Sequence, residues 1–169
     1  MARNIEIKAR IARVEAMLAR AQSLADGPPV AIDQDDTFFA VAHGRLKLRR
    51  FADGSAELIQ YHRPDDADAK ASDYVRVPVA DADALATALD RACGTIGRVR
   101  KRRLLLMAGQ TRIHLDRVEG LGDFLELEVV LRDGQSDADG IAIAERLMAA
   151  LDVAPTDRLA GAYLDLGAS

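Results

Sequence analysis

Glu126 and Glu128 stand two residues apart, with Leu125, Leu127 and Val129 interleaved. In an extended chain that spacing puts both carboxylates on one face and the aliphatic side chains on the other. The same alternation recurs along the chain. Asn4, Glu6 and Lys8 oppose Ile5 and Ile7, Arg45, Lys47 and Arg49 oppose Leu46 and Leu48, and Arg112, His114 and Asp116 oppose Ile113 and Leu115. Carboxylate oxygens without cysteine partners suit a hard divalent cation, Mg²⁺ or Mn²⁺. Guanidinium and ammonium groups suit phosphate oxygens, arginine through paired N–H bonds and lysine as a point charge. Gathered in one cavity, the two sets match a metal–polyphosphate complex; they could equally neutralise one another as ion pairs.

A shared interior would hold a basic set of Lys8, Lys47, Arg49, Arg63, Arg76, Lys101, Arg103 and Arg112, and an acidic set of Glu6, Asp116, Glu126 and Glu128 with Asn4 beside it. Much of the positive charge falls in two runs, Arg45–Arg50 and Arg98–Arg103. Rival chemistries lack their motifs. There is no glycine-rich loop ending in Gly-Lys-Ser/Thr and no Gly-x-Ser-x-Gly turn. His43, His62 and His114 are not at zinc-site spacing. His114 alone lies on a charged face, where a hydrogen-bonded supporting role is expected.

Composition narrows the partners. The formal net charge of −4 and the absence of tryptophan, with 4% aromatic residues, argue against nucleic acid as a ligand. The single cysteine, Cys93, permits no internal disulfide and is expected to be a buried thiol in an apolar helical stretch. Arg3, Glu6, Lys8 and Arg10 break any apolar run at the amino terminus, and no stretch is long enough to cross a bilayer. A cytoplasmic protein with a small-molecule partner and no membrane contact is expected.

Elements able to position these groups follow from periodicity. Strands are predicted over 4–8, 35–41, 45–50, 57–63, 74–79, 97–106, 110–118 and 123–131, with a hairpin turn at Asp53-Gly54. Helical spacing covers Ile11 to Leu24, a stretch capped by Asp81 and stopped by Gly94, and another led by Ser136 and Asp139. A short last helix is predicted from Thr156, presenting Leu159 and Tyr163. Pro64 to Asp73 reads as a polar, flap-like loop. Residues 1–169 read as one α+β domain. If helices cover the aliphatic faces, the charged faces must share an interior, which a closed or nearly closed antiparallel eight-stranded β-barrel provides. An open twisted sheet with its charges in water fits the pattern as well.

The ordered set of motifs resembles the CYTH superfamily, the triphosphate tunnel metalloenzymes, and within it the class IV adenylyl cyclase-like branch. Asn4-Ile5-Glu6-Ile7-Lys8 is similar to the family's Glu-x-Glu-x-Lys signature, with Asn4 in place of the first glutamate. Gln34–Phe39 and Gly44–Arg49 resemble the next two strands. Arg112–Asp116, Val118–Gly122 and Phe124–Glu128 form the most distinctive stretch. The resemblance spans residues 3–131 and extends to Tyr163–Leu166. It implies the barrel as a triphosphate tunnel, with Glu6, Asp116, Glu126 and Glu128 as ligands of Mg²⁺ or Mn²⁺. It also implies Glu6, Lys8 and Asp116 in catalysis, and Lys8, Lys47, Arg49, Arg63, Arg76, Lys101, Arg103 and Arg112 on a triphosphate such as ATP or inorganic triphosphate. The expected activity is conversion of ATP to cyclic AMP and pyrophosphate, with triphosphate hydrolysis or non-catalytic nucleotide binding as alternatives and a homodimer among the expected states.

Overall fold

A computed structural model of the chain describes residues 2–62, 68 and 70–167. The strands are β1 (Ala2–Arg10), β2 (Val30–Phe39), β3 (Arg45–Phe51), β4 (Ala56–His62), β5 (Lys70–Pro78), β6 (Thr95–Ala108), β7 (Thr111–Val118), β8 (Gly122–Val130) and β9 (Arg158–Leu159). The helices are α1 (Val14–Leu24), α2 (Ala82–Cys93), α3 (Asp137–Ala150) and the single turn α4 (Tyr163–Leu166). Sheet order runs β5-β4-β3-β2-β6-β7-β8-β1-β9, and an additional β5–β1 pairing closes the first eight strands into an antiparallel barrel. β1 shares one edge between two partners: β5 pairs with its residues 2–6, and β9 with Lys8 and Ala9. Closure leaves no open sheet, so the alternative of solvent-facing charges on a twisted sheet is set aside.

The apolar core lies outside the strand wall. Ile5, Ile7, Ile113, Leu115, Leu125 and Leu127 point outward from β1, β7 and β8 and pack with Met17 and Ala21 of α1 and Ala144 and Met148 of α3. On the opposite side Phe39 and Leu48 meet Leu85 and Leu89 of α2. The three longer helices each start on an identifiable device. Val14 N–H donates to Asp123 Oδ2 at 2.8 Å, Asp81 accepts from Ala84 N–H at 2.9 Å, and Ser136 with Asp139 forms a capping box. Gly140 lets α3 lie against β1: a Cβ there would stand 2.5 Å from Ile5 Cγ1. The β3–β4 turn uses Gly54 at φ 87°, where L side chains are strained.

Four local expectations need correction. β2 covers Val30–Phe39 rather than 35–41, because the long β6 offers partners as far as Leu105, opposite Val30. Of the flap-like segment, Lys70 to Asp73 are strand, paired with β1; residues 63–67 and 69 lie outside the described residues. The predicted helix from Thr156 is instead a 3₁₀ turn at Pro155–Asp157, then β9, then α4. β1's remaining edge draws Arg158 and Leu159 into pairing. Cys93 is exposed, at the last turn of a helix that buries no residue fully.

Candidate functional site

The lumen is a cavity of about 380 Å³ bounded by inward-facing side chains from all eight barrel strands. Cross-strand register stacks the chemistry in rows. Lys8 faces Glu126, which faces His114, and Glu6 faces Glu128, which faces Arg112. Lys47, Arg49, Arg76, Lys101 and Arg103 line the same cavity. On β6, alternation turns Lys101 and Arg103 inward, where they are buried, while the Arg100 and Arg102 side chains are half and nearly three-quarters exposed. Arg76 sits at the rim and donates to Glu57 Oε2 at 2.7 Å. Arg63 lies outside the described residues.

Asp116 is fully buried and turned to its neighbours rather than to the cavity. Arg103 grips it through two bonds of 2.7 Å, Tyr163 Oη donates to it at 2.8 Å, and Lys101 Nζ lies 3.4 Å away. Burial opposes its ionisation, but Arg103 and Lys101 overcome that and hold its carboxyl well below the usual range. Asp36 does the same on the other wall, holding Arg49 through bonds of 2.7 and 2.8 Å and Lys47 at 2.9 Å. The cations are thus anchored on two buried carboxylates. Burial, with Arg103 close by and only partly offset by Asp116, pushes Lys101 down to about 7.

The acidic side of the lumen is built on β8. Arg103 donates to Glu126 Oε2 at 2.9 Å and Arg112 to Glu128 Oε2 at 3.3 Å. Despite burial, Lys8 and Arg103 hold Glu126 ionised, and His114 and nearby arginines do so for Glu128. His114 Nδ1 lies 3.6 Å from Glu128 Oε1 and 3.8 Å from Glu126 Oε2, beyond hydrogen-bond reach of both. It is buried and makes no hydrogen bond. The three residues offer ligand atoms within 4.8 Å of one another, a donor set that fits a divalent cation. On the neighbouring strand β1, Asn4 is buried. Its amide satisfies its surroundings with the nitrogen donating to Ser72 O at 3.2 Å and to Glu6 Oε1 at 3.1 Å.

Among the lumen residues not selected from the sequence are Asp36, Arg45, Tyr61 and Tyr163. Asp36 and Arg45 continue the alternation of their strands and were within reach of it; Tyr61 and Tyr163 carry no charge to mark them. Tyr163 plugs one end, packed on Phe124 with ring centroids 4.9 Å apart, and its ring lies 3.9 Å from Lys8 Nζ.

The fold has known counterparts. A Pyrococcus horikoshii protein, PH1012, superposes with a TM-score of 0.86 at 22% identity, over 96% of this chain and 98% of its own. A candidate adenylate cyclase from Vibrio parahaemolyticus gives 0.79 at 18% identity, covering 98% of each chain. A candidate adenylyl cyclase from Hippeastrum with a dominant triphosphatase activity gives 0.64 at 14% identity, over 90% of this chain and 89% of its own. No curated protein sequence matches the chain significantly. The CYTH domain model matches residues 2–163, and with the closed, charge-lined barrel around it the chain belongs to the CYTH family.

Proposed function

We propose that the protein is a divalent metal-dependent enzyme acting on the triphosphate chain of a nucleotide, converting ATP to cyclic AMP and pyrophosphate. The observation that carries this reading is one closed lumen lined by clustered Lys and Arg side chains with a His114–Glu126–Glu128 donor set among them. Lys8, Lys47, Arg49, Lys101, Arg103 and Arg112, with Arg76 at the rim, bind and straighten the phosphates, and Arg63 is given the same role on the sequence alone. These cations offset charge that builds on the departing pyrophosphate. Glu126 and Glu128, with Glu6, would hold Mg²⁺ or Mn²⁺. Such an ion supplies charge neutralisation at phosphate oxygens and acidifies a bound hydroxyl. Asp116 acts on the site by positioning Arg103 and Lys101. In the cyclisation, the ribose 3′-oxygen bonds to the α-phosphorus while the bond to the bridging oxygen breaks. Pyrophosphate leaves with that electron pair and the hydroxyl proton passes to solvent.

Triphosphate hydrolysis is the second reading, supported by the same clustered cations and by the activity of the Hippeastrum relative in fold. Incubation with ATP, inorganic triphosphate and thiamine triphosphate, each with Mg²⁺ or Mn²⁺, separates the readings by product. Cyclic AMP with pyrophosphate supports the cyclase. Orthophosphate release supports the hydrolase. Tight binding without turnover would replace both with a nucleotide or polyphosphate sensor.

A further inference from the structure

We propose that the cation site of this chain is a mixed nitrogen–carboxylate site, with His114 Nδ1 as a ligand beside Glu126 and Glu128, selecting a transition-metal cation such as Mn²⁺ or Co²⁺ over Mg²⁺. The inference rests on the metal-dependent reading above and specifies its metal. His114 is 4% exposed, faces the cavity, and carries a buried Nδ1 with no hydrogen bond. Its separations of 3.6 and 3.8 Å from the two carboxylates are too long for hydrogen bonds. They match the spacing of atoms around a shared ion, since metal–ligand distances of about 2.0–2.2 Å set neighbouring donors roughly 3–4 Å apart. Ligation requires the proton on Nε2, leaving the Nδ1 lone pair directed at the carboxylates.

The surroundings fix the donors and limit their charge. Arg112 holds Glu128 by Oε2, leaving Oε1 toward His114, and Arg103 holds Glu126 by the Oε2 atom that lies nearest Nδ1, so both carboxylates are oriented by arginines. On the adjoining strand β1, the neutral Asn4 amide donates to Glu6 Oε1, engaging an oxygen that a hard cation would otherwise draw on. Mg²⁺ gains affinity from carboxylate charge and dehydrates reluctantly toward all-oxygen octahedral sites. Imidazole nitrogen strengthens binding of first-row transition ions instead. A site with one carboxylate replaced by an amide and one imidazole added shifts in that direction on both counts.

The test uses the full chain without nucleotide, loaded with Mn²⁺, and pulsed electron paramagnetic resonance to detect directly coordinated ¹⁴N. Calorimetric titration with Mn²⁺, Co²⁺ and Mg²⁺ runs in parallel on wild type and His114→Gln. The expected result is ¹⁴N coupling in wild type, with Mn²⁺ bound at least about tenfold more tightly than Mg²⁺, narrowing to within about threefold in His114→Gln. Mn²⁺ bound without ¹⁴N coupling overturns the inference and leaves the metal-dependent reading standing. An unchanged Mn²⁺-to-Mg²⁺ ratio in a folded His114→Gln also overturns it. Failure of any divalent ion to bind, with or without inorganic triphosphate, overturns both. The wild-type ¹⁴N signal decides the matter even if the variant does not fold.

Discussion

Raising the pH above 7 should weaken triphosphate binding through one residue, Lys101. Its ammonium is buried, sits 4.8 Å over the Tyr163 ring and 3.4 Å from Asp116, and has Arg103, Arg49 and Lys47 for neighbours. Burial and those cations bring its pKa down to about 7 from the ordinary 10.5. A polyanion entering the lumen reverses the balance, so the bound state keeps the proton well above pH 7. Below pH 7 the lysine is charged with or without ligand, and affinity is flat. Above it, binding must first take up a proton. Each further pH unit then weakens binding about tenfold, or ~1.4 kcal/mol, for a loss of about 50-fold between pH 7 and pH 9. Folding is linked with the opposite consequence. Between 7 and 10.5 the unfolded chain holds the lysine proton that the ligand-free native state lacks, so this lysine's contribution to stability rises with pH. The assay is calorimetric titration of a non-hydrolysable ATP analogue in chelator from pH 6 to 9, in buffers of different ionisation enthalpy. Lys101→Arg supplies the control, since arginine does not titrate in this range and its profile carries only the ligand's own protonation. Equal pH slopes for wild type and Lys101→Arg, or no proton uptake at pH 8, would refute the reasoning.

Glu126→Gln and Glu128→Gln should each abolish metal-dependent turnover while far-ultraviolet circular dichroism and thermal melting remain those of a folded protein; activity surviving in both would remove these carboxylates from the metal site. Lys101→Ala and Arg103→Ala should weaken analogue binding by about 1.5–3 kcal/mol each, and Arg100→Ala and Arg102→Ala by much less, because only the first pair faces the cavity. Asp116→Asn should destabilise the ligand-free protein by about 3–5 kcal/mol in urea titration, since it leaves Arg103 buried without its carboxylate partner; a change under about 1 kcal/mol would show that the pair is replaceable by water or by Glu126. Asn4→Glu should lower the melting temperature in chelator through repulsion with Glu6, and added Mn²⁺ should restore it together with higher turnover at low metal; metal dependence identical to wild type would separate Asn4 from the metal site.

The charged and aliphatic strand faces were legible because alternation is a local signal, Glu126 and Glu128 sharing a face whatever their partners, whereas closure into a barrel was implied by the family resemblance and not by the pattern. The pairing of carboxylates with cations was not legible in the same way. Asp36 adjoins Asp35 in the chain, and although alternation puts them on opposite faces, the β2–β3 register decides which cations each one meets. Asp36 faces inward to Lys47 and Arg49, while Asp35 sits outside with Arg98. Asp116 shows the same gap, since sharing a face with His114 did not reveal that Arg103, Lys101 and Tyr163 occupy its oxygens. The carboxyl-terminal segment escaped periodicity because its conformation is set by an edge of β1 that β5 leaves uncovered. Cys93 was misread for a related reason. Apolar helical spacing marks a packed face, but the last turn of α2 runs past the barrel wall it packs on.

Because the apolar core lies between the strand wall and the helices, folding and chemistry draw on different sets of residues. Ile5 and Ile7 hold β1 to α3, while Asn4, Glu6 and Lys8, interleaved with them, face the lumen and make polar contacts there, Asn4 with Glu6 and Lys8 with Glu126 and Gly161 O. Substitutions on the inner face therefore leave the apolar contacts between wall and helices in place, and their cost falls on the ion pairs they break, largest at the buried Asp116. A wall of this construction gives a lineage freedom to trade one phosphate chemistry for another at lumen positions outside the Asp36 and Asp116 pairs, while the packing behind the strands is kept.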